Sequence, residues 1–304
     1  MIPVSPIDDI IHCTVRIECL MANGQTSYGT GSFFIFNAIK NKGNICIITN
    51  RHVMEGAIQA GFNLTLARKD GGPDLGNYQK ITIESPQTFC IYHPDISVDL
   101  VAIPVNAIFF KAKRESNEFY IRAIGKGLTA DAQLLNSLPT MSEIAMVGYP
   151  IGLWDQKHNL PLIRRGVTST HPKRNLNNRP EFMIDAACFP GSSGSPVFLA
   201  NLNGFTNNSG VFTVGSRFLF LGCLWGGPMF DTEGEIITVP VPTNTDLRGF
   251  NLRLPTNLGY VVNHTKVWEL ENLVGMQLEA AITRNSSCPC GSGKRYKSCC
   301  GQVE

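Results

Sequence analysis

The chain is poor in charge. Asp, Glu, Lys and Arg make up only 16% of its 304 residues, and 26 cations against 24 carboxylates leave a net charge of +2. That balance supplies neither the basic face that nucleic acid requires nor the pull that draws a protein to an anionic membrane. No run of eighteen apolar residues occurs, so no membrane-spanning helix is expected. The opening MIPVSPIDDIIHCTVRIECL has no basic segment, apolar stretch and small-residue cleavage site in the order of a secretory leader. The expectation is a cytoplasmic protein.

Helical periodicity is scarce as well. In its place are 29 glycines, 18 prolines and many short apolar runs bounded by turn residues. IIHCTVRIECL, GSFFIF, NICIITN, ITIESPQTFCIY and DLVAIPV read as strands in the first part of the chain. IAMVGYP, LIRRGVTST, EFMIDAAC, SPVFLA, RFLFLGCLW, EIITVPV and LGYVV continue the pattern. Such spacing predicts an all-β barrel or sandwich rather than alternating strands and helices. Two helices are expected. ADAQLLNSL (130–138) is short; the second runs from Thr265 to Ile282, with Val267, Leu270, Val274, Leu278 and Ala281 on one face. Asn263 or Thr265 is the candidate cap. The polar stretch 201–216 reads as an extended loop.

Three segments carry candidate chemistry. In FPGSSGSPVF (189–198) a serine stands in a glycine-rich turn. A hydroxyl is a weak nucleophile and needs sharp positioning and a stabilised oxyanion. A glycine two residues before the serine lets two N–H groups converge; here these are the amides of Gly191 and Ser193. Chemistry alone leaves Ser192, Ser193 and Ser195 as candidates, and an ordinary polar turn reads similarly. ITNRHV places His52 at the end of an apolar strand, where an imidazole has the titration range of a general base. VDLVAIPV places Asp99 at the head of another strand, where holding the imidazole's tautomer would use a partly buried carboxylate; Asp95 is the rival. The order His–Asp–Ser on an all-β background joins these signals.

With these residues the sequence resembles the chymotrypsin-fold serine proteases, above all the bacterial HtrA (Deg) branch. GTGSFFI, TNRHV, VDLVAIPV, MVGYPIGL, RGVTST, IDAACFPGSSGSPVF and LGYVVNHTKVWEL carry the likeness along most of the chain. The resemblance implies two six-stranded β-barrels followed by a C-terminal helix and a small zinc knuckle. It implies a catalytic triad of His52, Asp99 and Ser193, and oxyanion donors at Gly191 and Ser193. It places Leu224, Trp225 and Gly226 on the strand that pairs with substrate, and Ala187 at the primary pocket. With no carboxylate at Ala187, a small or medium apolar residue is expected at the cleavage position. Three departures stand out: Ser195 replaces a usual glycine, Asn50 and Arg51 replace small residues before the histidine, and nothing resembles a PDZ domain.

The last cysteines stand apart. Of ten, Cys13, Cys19, Cys46, Cys90, Cys188 and Cys223 are scattered, mostly in apolar runs, and read as small buried hydrophobes. The other four fall in CPCGSGKRYKSCCG (288–301), spaced C-x-C-x8-C-C. Four thiolates joined by a Gly-Ser-Gly turn suit tetrahedral zinc, whereas disulfides between such close neighbours would be strained. The segment resembles the SEC-C motif of the bacterial preprotein translocase ATPase. That likeness implies Cys288, Cys290, Cys299 and Cys300 as ligands of a structural Zn2+, and a docking module for a protein partner. Lys294, Arg295, Tyr296 and Lys297 are its candidate contact surface. The expected organisation is a protease domain over 1–264, a helix and linker over 265–285 and the zinc motif over 286–304. The expected activity is hydrolysis of protein or peptide substrates; a silent or latent pseudoprotease acting as a binding scaffold is the alternative.

Overall fold

The computed structural model describes residues 6–39, 42–236 and 248–281, with Lys294, Arg295 and Ser298. The first half carries β1 (Thr14–Met21), β2 (Thr26–Ile39), β3 (Lys42–Thr49), β4 (Ala57–Ala67), β5 (Pro73–Glu84), β6 (Ile91–Tyr92) and β7 (Val101–Pro104). They form one sheet in the order β5-β4-β1-β2-β3-β7-β6. The second half carries β8 (Glu143–Gly148), β9 (Leu162–Thr168), β10 (Glu181–Asp185), β11 (Pro196–Asn201), the short pair β12 (Gly204–Thr206) and β13 (Phe212–Val214), and β14 (Arg217–Gly226). A further pair, β15 (Met229–Ile236) and β16 (Arg248–Pro255), precedes β17 (Leu258–Asn263). Strands β10, β17, β14, β11, β8 and β9 close into a barrel, sealed where Ile184 pairs with Thr168.

The fold is thus mainly β, with one closed six-stranded barrel as expected. The first lobe is a seven-stranded sheet with β5 and β6 at its edges rather than a closed six-stranded barrel, and it gains a strand because Pro86 divides ITIESPQTFCIY. Ser85 turns left-handed (φ 46°) before a 3-10 turn over Pro86–Thr88, and β6 starts afresh at Ile91. Proline has no N–H to give to a ladder, so a strand cannot run through it. The stretch 201–216 is a small hairpin, β12 on β13, turning over Asn207–Gly210. A helix over Asn106–Arg114 was not legible, because its NAIFF start reads as β; it packs Ile108 and Phe109 on the first lobe.

Apolar runs without polar alternation have a structural reason. Successive strand residues face opposite sides. Phe33 and Ile47 join Val15, Ile17 and Phe62 inside the first lobe, while Phe34, Phe36, Cys46 and Ile48 face the other way. Val197 and Leu199 likewise fill the second barrel, and Phe198 and Ala200 point out of it. The outward sets meet in a third core between the lobes. Each such side chain withdrawn from water contributes about 1.5–3 kcal/mol, so the cleft between lobes is set by packing on both of its walls.

The C-terminal helix, His264–Ala281, seals this interface. It begins directly after Asn263 and buries Val267, Leu270 and Val274 in the third core; the side chains of Leu278 and Ala281 lie outside the described residues. Trp268 sets its edge on Phe34 and Phe36, with centroids 5.8 and 5.5 Å apart. Glu271 accepts the Asn37 N–H at 2.7 Å and pairs with Lys126 at 2.5 Å. The shorter predicted helix spans Ala132–Ser137, capped by the Asp131 carboxylate on the Leu134 N–H at 2.7 Å. The six scattered cysteines are buried thiols. Burial pushes Cys46 up to about 12 and Cys90 and Cys188 to about 11, which makes them poor nucleophiles. No described helix is long and apolar enough to cross a membrane.

Candidate active site

Strand β3 ends at Thr49, and His52 follows in a helical turn over Arg51–Met54. Asp99 stands two residues before β7. The β3–β7 pairing, with Thr49 opposite Val101, brings the two loops together. Asp99 Oδ2 lies 2.5 Å from His52 Nδ1, and Oδ1 accepts the His52 main-chain N–H at 3.1 Å. Two bonds from one carboxylate fix both the ring's tautomer and its orientation, leaving Nε2 as the basic nitrogen.

The two departures before the histidine lock this arrangement. Asn50 is fully buried and its Nδ2 donates to the Asp99 carbonyl at 2.7 Å. Arg51 Nη2 donates to the His93 carbonyl at 2.8 Å, and its guanidinium lies 4.8 Å from the Tyr92 ring centroid. Small residues would leave the loops untied. Asp95, the rival carboxylate, is exposed and closes its own turn. It accepts the Ser97 N–H at 2.9 Å and the Ser97 hydroxyl at 2.7 Å, and these bonds hold its carboxyl below the usual range.

The serine segment lies on the second lobe, directly before β11. Gly191 and Gly194 are both left-handed, at φ 84° and 87°. Thr30 of β2 grips the turn: its N–H donates to the Ser193 carbonyl at 2.8 Å and its hydroxyl to the Gly191 carbonyl at 3.1 Å. Ser192 N–H closes onto Phe189 O at 3.0 Å, while the N–H groups of Gly191 and Ser193 have no acceptor among the described residues. The three serines now separate. Ser192 and Ser195 are buried; Ser192 Oγ accepts from Arg164 at 2.8 Å and Ser195 Oγ meets Thr30 Oγ1 at 3.3 Å. Ser193 is the half-buried one, and its Oγ donates to the Trp225 carbonyl at 3.3 Å rather than to His52. Ser195 fits where a glycine was expected because Gly148 leaves it room; a Cβ there would sit 2.1 Å from Ser195 Oγ.

The expected pocket residues divide. Trp225 is braced at the cleft: its Nε1 donates to Glu181 Oε2 at 2.7 Å and its ring stacks on Tyr260 at 5.5 Å. A Cβ at Gly226 would meet open space. Leu224 does not line a pocket. Its side chain is in the barrel core, and its main chain instead clasps the serine turn, donating to Ser195 O at 2.9 Å and accepting from Gly194 at 2.8 Å. Ala187 is half-buried, and its carbonyl accepts from Arg164 Nη1 at 2.5 Å. Arg164 was missed in the sequence, where RR in LIRRGVTST reads as a solvated strand face.

This geometry, a two-lobed β fold with a His–Asp pair on one lobe and a glycine-framed serine turn on the other, defines a trypsin-like peptidase architecture. The trypsin-like peptidase domain family matches residues 29–204, more than half of the chain, and the chain belongs to that family. The SEC-C motif matches residues 284–302. Over 26 residues the chain is 65% identical to the protein translocase subunit SecA of Wolinella succinogenes, covering 9% of this chain and 3% of that protein. Among solved structures, the HtrA-type protease AlgW with tripeptide aligns at a TM-score of 0.45 and 13% identity, over 88% of this chain and 62% of that one. The serine endoprotease from Yersinia pestis aligns at 0.45 and 12%, over 90% and 68%. The chain therefore spans less than two thirds of AlgW and a small fraction of SecA.

Cys288, Cys290, Cys299 and Cys300 lie outside the described residues. Between the two pairs, Ser298 N–H donates to Arg295 O at 2.9 Å. An all-thiolate donor set of four suits a closed tetrahedral zinc site. Among the described residues no cluster of three His, Cys, Asp or Glu side chains forms a metal site.

Proposed function

We propose that this protein is a serine endopeptidase that cleaves protein substrates through an acyl-enzyme on Ser193. The observation that carries the reading is the doubly bonded Asp99–His52 pair, at 2.5 and 3.1 Å, in a loop cross-tied by Asn50. His52 takes the Ser193 proton as Oγ attacks the scissile carbonyl, then returns it to the leaving amine. Gly191 and Ser193 N–H groups, without an acceptor among the described residues, receive the oxyanion. The exposed apolar Ile151 and Leu153, on a turn bonded through the Ile151 N–H to Pro190 O at 2.6 Å, form a rim for apolar substrate side chains. A fluorophosphonate probe, which phosphonylates an activated serine, is expected to label the folded protein. Ser193→Ala is expected to abolish that labelling. A folded wild-type chain that stays unlabelled at any probe concentration sinks the reading.

A specific contact also favours a latent form of the same enzyme. The Ser193 hydroxyl is turned to Trp225 O, an acceptor on the strand expected to pair with the substrate backbone. A substrate N–H that claims this carbonyl releases Ser193 to rotate toward His52. Ground-state latency of this kind suits a cytoplasmic protease, where the buried thiols stay reduced.

Cys288, Cys290, Cys299 and Cys300 are proposed to hold one structural zinc, and the motif around them to dock a protein partner. When bound, the metal would fix the fold of the tail and take no part in hydrolysis. The purified chain is expected to contain one zinc per chain by metal analysis, and Cys290→Ser with Cys299→Ser to contain none. Equal zinc in both proteins rejects the assignment.

A further inference from the structure

A half-buried cation behind the serine turn is left unexplained by the proposed chemistry. Arg164 lies on β9 opposite Met146 and, four residues before the buried Thr168, on the inward face of the barrel. Its Nη1 reaches two acceptors, the Ala187 carbonyl at 2.5 Å and Ser192 Oγ at 2.8 Å. Its Nε and Nη2 are shut away from solvent with no hydrogen-bond partner among the described residues. No described carboxylate forms an ion pair with it; Arg165, its neighbour, takes Glu143 at 2.6 Å on the outer face. Burial pulls Arg164 down to about 10, so it stays charged at neutral pH.

Such an arrangement is costly. A half-buried charge without a described counter-charge, with two buried donors unpaired, destabilises the fold relative to an apolar side chain of similar length. The arginine is explained by what it holds. Ala187 and Ser192 bracket the turn that carries Phe189, Pro190 and Gly191, and a single guanidinium nitrogen, Nη1, ties its two ends together. The rigid planar group at the end of its stem holds that nitrogen in one place, which a flexible ammonium does not. The front of the same turn presents the Gly191 and Ser193 N–H groups, whose aim depends on the peptide planes between those two anchors.

We propose that Arg164 is a positioning residue that clamps the 187–193 turn from behind and so keeps its N–H groups preorganised for the oxyanion. It touches no substrate and acts through Ala187 and Ser192. This inference rests on the reading of Ser193 as nucleophile. A preorganised donor pair is effective because it is in place before charge develops, and slack of about 1 Å in such a site lowers rates on the order of 100-fold.

The test uses the full chain and the fluorophosphonate probe. Ser193 Oγ forms a bond to phosphorus, fluoride leaves, the serine proton goes to His52, and the phosphoryl oxygen enters the oxyanion site. The rate therefore reads the turn directly, with no natural substrate required. For Arg164→Met the maximal inactivation rate is expected to fall roughly 10- to 100-fold while the probe's half-saturating concentration stays within about twofold. Arg164→Lys is expected to recover part of the rate, because the ammonium keeps the charge and reaches one acceptor. A folded Arg164→Met that reacts at the wild-type rate, or that changes only half-saturation, overturns the inference while wild-type labelling still stands. If Arg164→Met does not fold, Ser192→Ala decides: a slowed maximal rate supports the clamp and an unchanged rate overturns it. A wild-type chain that does not label defeats the underlying serine reading, which is a separate result.

Discussion

Asp99→Asn is expected to slow fluorophosphonate labelling of Ser193 by about ten-thousand-fold with the fold retained. The size follows from the two bonds that the carboxylate makes. Oδ1 accepts the main-chain N–H of His52 at 3.1 Å and Oδ2 faces Nδ1 at 2.5 Å. An asparagine keeps the volume but has only one acceptor. With its oxygen on the main-chain N–H, its NH2 group faces Nδ1, which must then be an acceptor. The ring proton moves to Nε2, and the nitrogen that should take the serine proton is already protonated. Measured labelling rates between pH 6 and 9 test this. A variant within tenfold of wild type would show that Asp99 does not set the tautomer, and Asp95→Asn is the matched comparison because that carboxylate serves only its own turn.

Gly194→Ala is expected to cost the protein much of its stability. A Cβ on Gly194 would lie 1.8 Å from the Thr30 carbonyl oxygen and 2.6 Å from Thr49 Oγ1, at φ 87°. The left-handed backbone costs a non-glycine residue about 1–2 kcal/mol, and forcing an extra methyl into a packed site adds about 1–3 kcal/mol. Thr30 and Thr49 sit on β2 and β3, so the clash pushes the two lobes apart where Thr30 grips the serine turn. Against a total stability of about 5–15 kcal/mol, the variant is expected to melt roughly 4–20 °C lower, at about 2–4 °C per kcal/mol for chains of this size, and to lose labelling. Gly210→Ala is the control: it shares a positive φ of 79° but has nothing within 4 Å. Equal melting temperatures for the two variants would refute the argument from close approach.

The tie between lobes also explains which residues were legible. A strand with two buried faces reads as a continuous apolar run, so SFFIF, NICIIT and SPVFLA are visible without any knowledge of their neighbours. Ser85-Pro86 shows the limit. The residues on either side are β-prone, and only the left-handed turn at Ser85 reveals that β5 and β6 are separate. The helix over Asn106–Arg114 was hidden for a similar reason, since Ile108 and Phe109 suit a strand as well as an amphipathic turn.

Within the site, local sequence determined residue types, order and the glycine framework of the serine turn. It also determined the tail's four cysteines and their spacing. Partner choice was decided only by tertiary structure. Asp99 rather than Asp95 meets His52 because β3 and β7 pair in one register, with Thr49 opposite Val101. Ser193 rather than Ser192 or Ser195 faces the cleft because Arg164 and Thr30 each bury one neighbour's hydroxyl. Asn50 and Arg51 read as departures from a pattern and turn out to be the ties of the histidine loop. These contacts join residues far apart in the chain, so no local rule of propensity or spacing encodes them; packing of two lobes and a helix around a shared core does.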